Sequence, residues 1–298
     1  MTSNTLFEGP EKKVELVVQA GFPSLRSFGK EAWLRVIGAA GAHAISVSHN
    51  PRCDAFLLSE SSLFVFDEYL VMITCGRTSL IDAVVEMFRF IPTGEVAMLV
   101  YERKNEHFPE EQPTTFEQDA DRLKALIPGQ TLRLGDKHEH YVQMYCSSRP
   151  FSPPNEEPTL EVLMHGISEE AAASFRGGVS GDPKDRLAVL LPGFTIHEHA
   201  FEPNGYSLNA VQDESYYTVH VTPESGCSYV SFETNYDFRK NLGPLVSGVV
   251  SLFGPRTFDV ITFMPEGPAS LTLDGYELRD SARHALSGYC VSYLHFQR

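Results

Sequence analysis

Leu57-Leu58-Ser59-Glu60-Ser61-Ser62-Leu63-Phe64-Val65 reads as a β-hairpin. An apolar run over 55–58 meets a small polar cluster over 59–62, and a second apolar run over 63–66 follows. Taken alone, such a cluster is a tight turn whose hydroxyls bond their own backbone. Working outward, a strand over 69–74 runs into Thr74-Cys75-Gly76, and a short strand over 44–48 precedes the hairpin. The spacing predicts further strands over 11–18, 96–103, 132–134 and 141–146. Helices are predicted over 24–40, 78–90 and 115–127, where apolar residues recur at helical spacing.

The segment 147–158, SSRPFSPPNEEP, is rich in proline and polar residues and reads as a linker. Beyond it the order restarts. Strands are predicted over 159–164, 193–201, 216–222, 228–234, 258–263, 270–273 and 287–295, and helices over 168–175 and 237–253, with a Gly-rich loop over 177–184. Two halves, about 1–150 and 158–298, thus have similar content, with no residue-level repeat between them. Many antiparallel strands with a few helices fit an α+β layered fold. The length suits one large domain or two medium ones.

The chain has 298 residues and a net charge of −15. An acidic surface argues against nucleic acid or anionic membrane as partners and suits cationic ligands. No apolar run has the length of a membrane span, and the N-terminus lacks a secretion signal. The five cysteines, Cys53, Cys75, Cys146, Cys227 and Cys290, are odd in number and scattered, which predicts reduced thiols and a cytoplasmic location.

Several separate motifs stand in a telling order: FEGPEK at 7–12, LSESSLFV at 58–65, Thr74-Cys75-Gly76, GYSLN at 205–209, HVTPE at 220–224 and SYVSFETN at 228–235. Together they resemble the S-adenosylmethionine decarboxylases of the eukaryotic type, from Phe7 to about Phe263, with a weaker tail to Tyr289. The resemblance implies a single domain over 1–298, built as a four-layer αββα sandwich of two antiparallel sheets with helices outside. It also implies a self-made pyruvoyl cofactor, with no pyridoxal phosphate and no metal. Self-cleavage between Glu60 and Ser61 would give a 1–60 β chain and a 61–298 α chain.

The chemistry so implied is specific. Ser61 Oγ attacks the Glu60 carbonyl to form an oxyoxazolidine and then an ester. Loss of the Ser61 α-proton expels Glu60 as a carboxylate, and hydrolysis of the dehydroalanine leaves a pyruvoyl group. Such steps need a base and a hydrogen-bond donor, which the resemblance assigns to His220 and Ser207. A pyruvoyl carbonyl forms a Schiff base with the substrate amine and serves as an electron sink, and Cys75 matches the proton donor. Read without the family, His220 is a structural strand residue and Cys75 a small buried hydrophobe. Phe7 and Phe201 match the rings that stack the adenine, Glu224 the acid on the ribose hydroxyls, and Glu8 and Glu11 essential acids of the site. Leu58 and Glu60 complete the substrate contacts.

Animal relatives bind putrescine in a buried acidic cluster, which Glu15, Thr159, Glu161 and Glu233 match, as do Arg103, Phe263 and Tyr289. Three positions depart: Ile73 replaces Lys, Val100 replaces Phe and Glu157 replaces Asp. Lys13 stands where plant relatives carry an Arg in place of the diamine, so a weak or absent putrescine effect is expected. The resemblance also allows a homodimer of processed pairs. His138-Glu139-His140 and His197-Glu198-His199 have metal-ligand spacing on a strand but read as solvated strand residues. Two other functions compete: a pyruvoyl decarboxylase of another amino acid, such as ornithine or arginine, and a non-catalytic regulatory paralogue. The first should discard Phe7, Phe201 and Glu224; the second should damage Ser61 or Cys75. All are present.

Overall fold

The computed structural model describes residues 6–151, 158–176, 183–268, 271–286 and 288–298. The first half runs β1 (Lys12–Val18), α1 (Lys30–Ala39), β2 (Ala44–His49), β3 (Asp54–Leu58), β4 (Ser61–Val65), β5 (Tyr69–Thr74), α2 (Leu80–Met87), β6 (Val96–Lys104), α3 (Phe116–Leu126), β7 (Gly129–Gly135) and β8 (Tyr141–Ser147). The second runs β9 (Thr159–His165), α4 (Glu169–Ala173), α5 (Pro183–Leu190), β10 (Thr195–Ala200), β11 (Tyr206–Gln212), β12 (Ser215–Thr222), β13 (Tyr229–Thr234), α6 (Leu242–Phe253), β14 (Thr257–Met264), β15 (Glu277–Leu286) and β16 (Tyr289–Gln297).

Each half forms one eight-stranded sheet, in the order β2-β3-β4-β5-β1-β6-β8-β7 and β10-β11-β12-β13-β9-β14-β16-β15. Adding eight to each label of the first sheet gives the second, so the halves share one topology. Side-chain alternation explains the layering. Along β1, Val14, Leu16 and Val18 enter an apolar core shared with Trp33 of α1 and Val84 of α2. The intervening Lys13 faces the second sheet, where it meets Glu161 of β9. On β9, Val162 and Met164 join the core under α6, while Leu163 packs between the sheets with Val100 and Ile261. Burying each such aliphatic side chain contributes about 1.5–3 kcal/mol. The four layers expected from the family resemblance are thus present.

Several boundaries differ from the sequence expectation. The helix expected over 24–40 is a 3-10 turn at Leu25–Phe28 followed by α1, because Gly29 between them has φ +78°. The helix expected from 237 starts at Leu242 and ends on Gly254, which is left-handed at φ +55°. Residues 271–273 form no strand, and the expected Ser270 lies outside the described residues. So do half of the linker over 147–158 and most of the loop over 177–184. Three elements were not anticipated: α5, β11 and β15. The first HxH pair lies in the β7–β8 turn and not on a strand.

Candidate active site

Leu58 pairs with Ser61, so Ser59 and Glu60 form the turn between β3 and β4. Ser61 has φ +136°, a region that costs a residue with a side chain about 1–3 kcal/mol. The Glu60 carbonyl, next to that strained bond, accepts hydrogen bonds from the Cys75 backbone N–H at 2.9 Å and from its thiol at 3.4 Å. Cys75 is delivered there by β5, whose Thr74 pairs with Ser61. Ser61 Oγ is buried and has no hydrogen-bond partner among the described residues. Strain, a polarised carbonyl and an uncommitted hydroxyl therefore meet at one peptide bond.

The facing wall comes from the second sheet. Ser207 of β11 pairs with His220 of β12, and Ser207 Oγ lies 3.0 Å from His220 Nδ1. The other ring nitrogen, Nε2, lies 2.9 Å from Thr218 Oγ1 and 3.2 Å from Ser62 Oγ. Burial pushes the His220 pKa down to about 3, so the ring is neutral near pH 7. Glu60, Ser61, Cys75, Ser207 and His220 line one cavity of about 440 Å³, with Phe7, Phe201 and Glu224 around it. Burial pushes the Cys75 thiol well above its ordinary range, helped by the Glu60 and Glu11 carboxyls. It therefore carries its proton. Burial raises Glu60 to about 7, against the pull of Lys12. Gly76 is required here: it has φ +65°, and a Cβ on it would lie 2.7 Å from Glu60 Oε2 and 3.0 Å from Phe7 Cζ.

Three expected residues lie off the cavity. Leu58 points into the core beneath the helices, so any substrate contact from it comes from its backbone. Glu8 is buried and accepts from the His107 and Phe108 backbone N–H groups at 2.9 and 2.7 Å; it ties down the loop after β6. Glu11 is buried beside Glu161 and Glu233, and burial raises its pKa to about 8. One contributor was noted in the sequence only beside the acidic cluster, with no role at this cavity. Lys12 is buried, donates to the Gly76 carbonyl at 3.1 Å and exerts its charge on Glu60, Glu8 and Cys75.

The acidic cluster is present, with a cation inside it. Lys13 Nζ lies 2.7 Å from Glu161 Oε1 and 3.0 Å from Glu233 Oε2, all three buried. Phe263 presents its ring face to the same ammonium at 5.5 Å. Glu102, not singled out from the sequence, joins the cluster through Glu161, and burial raises its pKa strongly. Glu15, Thr159 and Tyr289 line a neighbouring cavity of about 260 Å³ with Tyr216, whose hydroxyl bonds Glu233. Arg103 does not join them. It faces α3, where it binds Asp119 at 2.7 Å and Glu106. Ile73 and Val100 are buried in apolar clusters, and Glu157 lies outside the described residues.

The first HxH pair also differs from expectation, while the second lies on β10 with no residue buried, as expected. His140 is half-buried, its ring 4.3 Å from that of His165 and 4.9 Å from that of His295. Among the described residues two groups have metal-ligand types close together, His140/His165/Asp259 and Glu11/Glu161/Glu233. In each, a lysine already balances the carboxylates: Lys104 Nζ lies 3.0 Å from Asp259 Oδ2, as Lys13 does in the other. His199 sits on β10 with its ring edge-on to Phe201 at 4.7 Å.

A family model described as adenosylmethionine decarboxylase matches residues 4–297. The S-adenosylmethionine decarboxylase proenzyme of Dictyostelium discoideum is 32% identical, covering 98% of this chain and 86% of its own length. That of Ipomoea nil is 34% identical over 87% of this chain and 79% of its own. A solved structure, the Trypanosoma brucei AdoMetDC-delta26 monomer, superposes with a TM-score of 0.60 over 79% of this chain and 98% of that one, at 23% identity, a likeness of fold. With motifs, fold and a match across almost the whole length in agreement, the chain belongs to the adenosylmethionine decarboxylase family.

Proposed function

We infer that this protein decarboxylates S-adenosylmethionine, supplying an aminopropyl donor for polyamine synthesis, after cutting itself between Glu60 and Ser61. The observation that carries the reading is the single cavity that gathers Ser61, Cys75, Ser207 and His220 with Phe7, Phe201 and Glu224, residues drawn from three distant stretches.

In the cut, Ser61 Oγ adds to the Glu60 carbonyl carbon. Negative charge grows on an oxygen already facing the Cys75 N–H and thiol, with Ser207 the further donor. The hydroxyl proton passes to the amide nitrogen as the C–N bond breaks, leaving an ester and a free Ser61 amine. His220 takes the Ser61 α-proton, the ester C–O bond breaks, and Glu60 leaves as a carboxylate. Water then replaces the nitrogen, which departs as ammonia, and Ser61 has become the pyruvoyl group. The residues fit this group: a buried uncommitted hydroxyl lies beside a strained, polarised peptide bond.

Once formed, that group supplies a carbonyl that takes up the substrate amine and draws off the electrons released with CO2. The chain supplies the rest. Phe7 and Phe201 offer ring faces to a purine and its neighbouring sulfonium. Glu224 offers a carboxylate to ribose hydroxyls. Cys75 holds a proton at Sγ for the carbon that loses CO2. Lys13 serves as a tethered cation in the acidic cluster, which supports a weak or absent response to putrescine. Five free cysteines, three of them buried, fit a cytoplasmic location, and no helix among the described residues is long and apolar enough to cross a membrane.

The test is an intact mass under denaturing conditions. A cut protein gives fragments of roughly 7 and 26 kDa by chain length. The larger is about 17 Da lighter than one with an N-terminal serine, and the protein releases CO2 from S-adenosylmethionine. A single species of about 33 kDa that releases no CO2 would overturn the reading.

A further inference from the structure

Behind His220 lies a chain of hydrogen bonds whose direction is fixed. Asn209 Nδ2 donates to the Phe56 carbonyl at 3.1 Å, and a carbonyl can only accept. The Asn209 amide is thereby oriented, with Oδ1 turned toward Ser62 and Thr218. Ser62 Oγ gives its one hydrogen to Asn209 Oδ1 at 2.5 Å. Thr218 Oγ1 lies 2.9 Å from the Leu208 carbonyl and 3.0 Å from Asn209 Oδ1. Both are acceptors, so the single Thr218 hydrogen goes to one of them.

Neither hydroxyl then has a hydrogen left for His220 Nε2, yet both lie within hydrogen-bond distance of it. That nitrogen must be the donor. A neutral imidazole has one N–H, so Nδ1 carries the lone pair and accepts from Ser207 at 3.0 Å. The opposite tautomer would set the Thr218 oxygen against two carbonyl oxygens with no hydrogen between, in a buried site where such a mismatch costs about 1–3 kcal/mol.

We propose that Thr218, held by Asn209 and the Leu208 carbonyl, is a positioning residue that keeps His220 in the Nε2–H tautomer, so that Nδ1 is the base for the Ser61 α-proton. The inference rests on the self-cutting reading above. Ser207 is the group bonded to that lone pair. Its turn toward the Glu60 oxygen during the first step therefore frees Nδ1 for the second. The imidazole is thus blocked in the resting precursor and is free by the time it must act.

The test is the Thr218→Val variant, which keeps the shape and removes the acceptor. It should slow the cut by about tenfold or more, as wrong-tautomer substitutions do elsewhere. It should also accumulate an ester that hydroxylamine cleaves, as His220→Ala should. Thr218→Ser should restore the wild-type rate. In an uncut Ser61→Ala background, nitrogen NMR of the ring should show Nε2 protonated, and Thr218→Val should shift population to Nδ1–H. Should Thr218→Val fail to fold, the ring spectrum of the Ser61→Ala protein decides alone. A ring protonated at Nδ1, or a Thr218→Val protein that cuts at the wild-type rate, overturns the inference. If the wild type is never cut, the underlying reading fails; if it is cut and His220→Ala traps the ester while Thr218→Val behaves as wild type, only this inference fails.

Discussion

Cys75 is a thiol that burial keeps protonated, 3.4 Å from the carbonyl of Glu60, at the bond proposed to be cut. Its backbone N–H touches the same oxygen, and a substitution of the side chain leaves that N–H in place. Cys75→Ala should therefore still cut, visible as two bands on a denaturing gel, and lose most CO2 release; normal release would remove Cys75 from the reaction. Lys13 is the second residue whose role follows from its neighbours. Lys13→Leu removes a cation that lies 2.7–3.0 Å from two buried carboxylates. Breaking a buried pair from one side costs about 3–5 kcal/mol, to be read from urea unfolding. Putrescine should raise the variant's midpoint more than the wild type's; an equal shift would show that the diamine does not fill the place of the ammonium. The motifs made Ser61, Cys75, Ser207 and His220 legible beforehand. Arg103 was misplaced because a motif says nothing of face: it shares the outer side of its strand with Tyr101, and both bond Asp119 of α3. Glu102 was passed over, and Lys12 was noted without a role at the cavity, because their charges look like ordinary strand polarity until the opposing sheet is in place.

At the scale of elements, alternation predicted the long strands well and failed where polar residues face inward or apolar ones are few. Strand β11 keeps the alternation, with Tyr206, Leu208 and Ala210 in the core and Ser207 and Asn209 facing the site, but its other buried face is polar and it was passed over. Strand β15, Glu-Leu-Arg-Asp-Ser-Ala-Arg-His-Ala-Leu, is an edge strand with most of its residues exposed. The strands β9, β14 and β16 carry His165, Asp259 and His295, with His140 from the β7–β8 turn. Lys104 and His107 from the first sheet face the same group, as does Tyr293. Burial lowers His140 to about 4 and His165 well below its usual range, with the Lys104 charge adding to both. A histidine whose folded pKa lies below its unfolded value stabilises the fold above the unfolded value, about 6.5, and loses that contribution as pH falls toward the folded one. Asp259, held low by Lys104 and His295 against its burial, acts in the same direction at still lower pH. The melting temperature should thus drop between pH 7 and pH 5, and His165→Asn should flatten that drop; an unchanged pH profile in the variant would remove His165 as a cause. Gly76 belongs to this scale too, two residues past the end of β5. Gly76→Ala forces a left-handed backbone and a Cβ against Glu60 and Phe7. It should raise KM for the substrate as well as slow the cut, whereas a kinetically silent change would mean that the two side chains yield without cost.

Over the whole molecule, the two halves repeat one strand order without repeating residues. That likeness is invisible in the sequence because each half satisfies the same alternation with different side chains. The strand order also sets what a cut between Glu60 and Ser61 would leave. Residues 1–60 hold β1, β2 and β3, and β1 lies in the middle of its sheet, between β5 and β6. The short piece is therefore no appendage. Strand pairing grips it on both sides, and it should co-elute with the long piece on gel filtration and be lost only with global unfolding. Before the cut, refolding is an event within one chain; afterwards two chains must find each other. Refolding yield after dilution from urea should depend on protein concentration for the cut protein and not for Ser61→Ala. Maturation of this kind would run one way: the enzyme would be assembled as a single thread, and its working lifetime would end with the first complete unfolding, since dilution would then separate two pieces that were never built to meet as strangers.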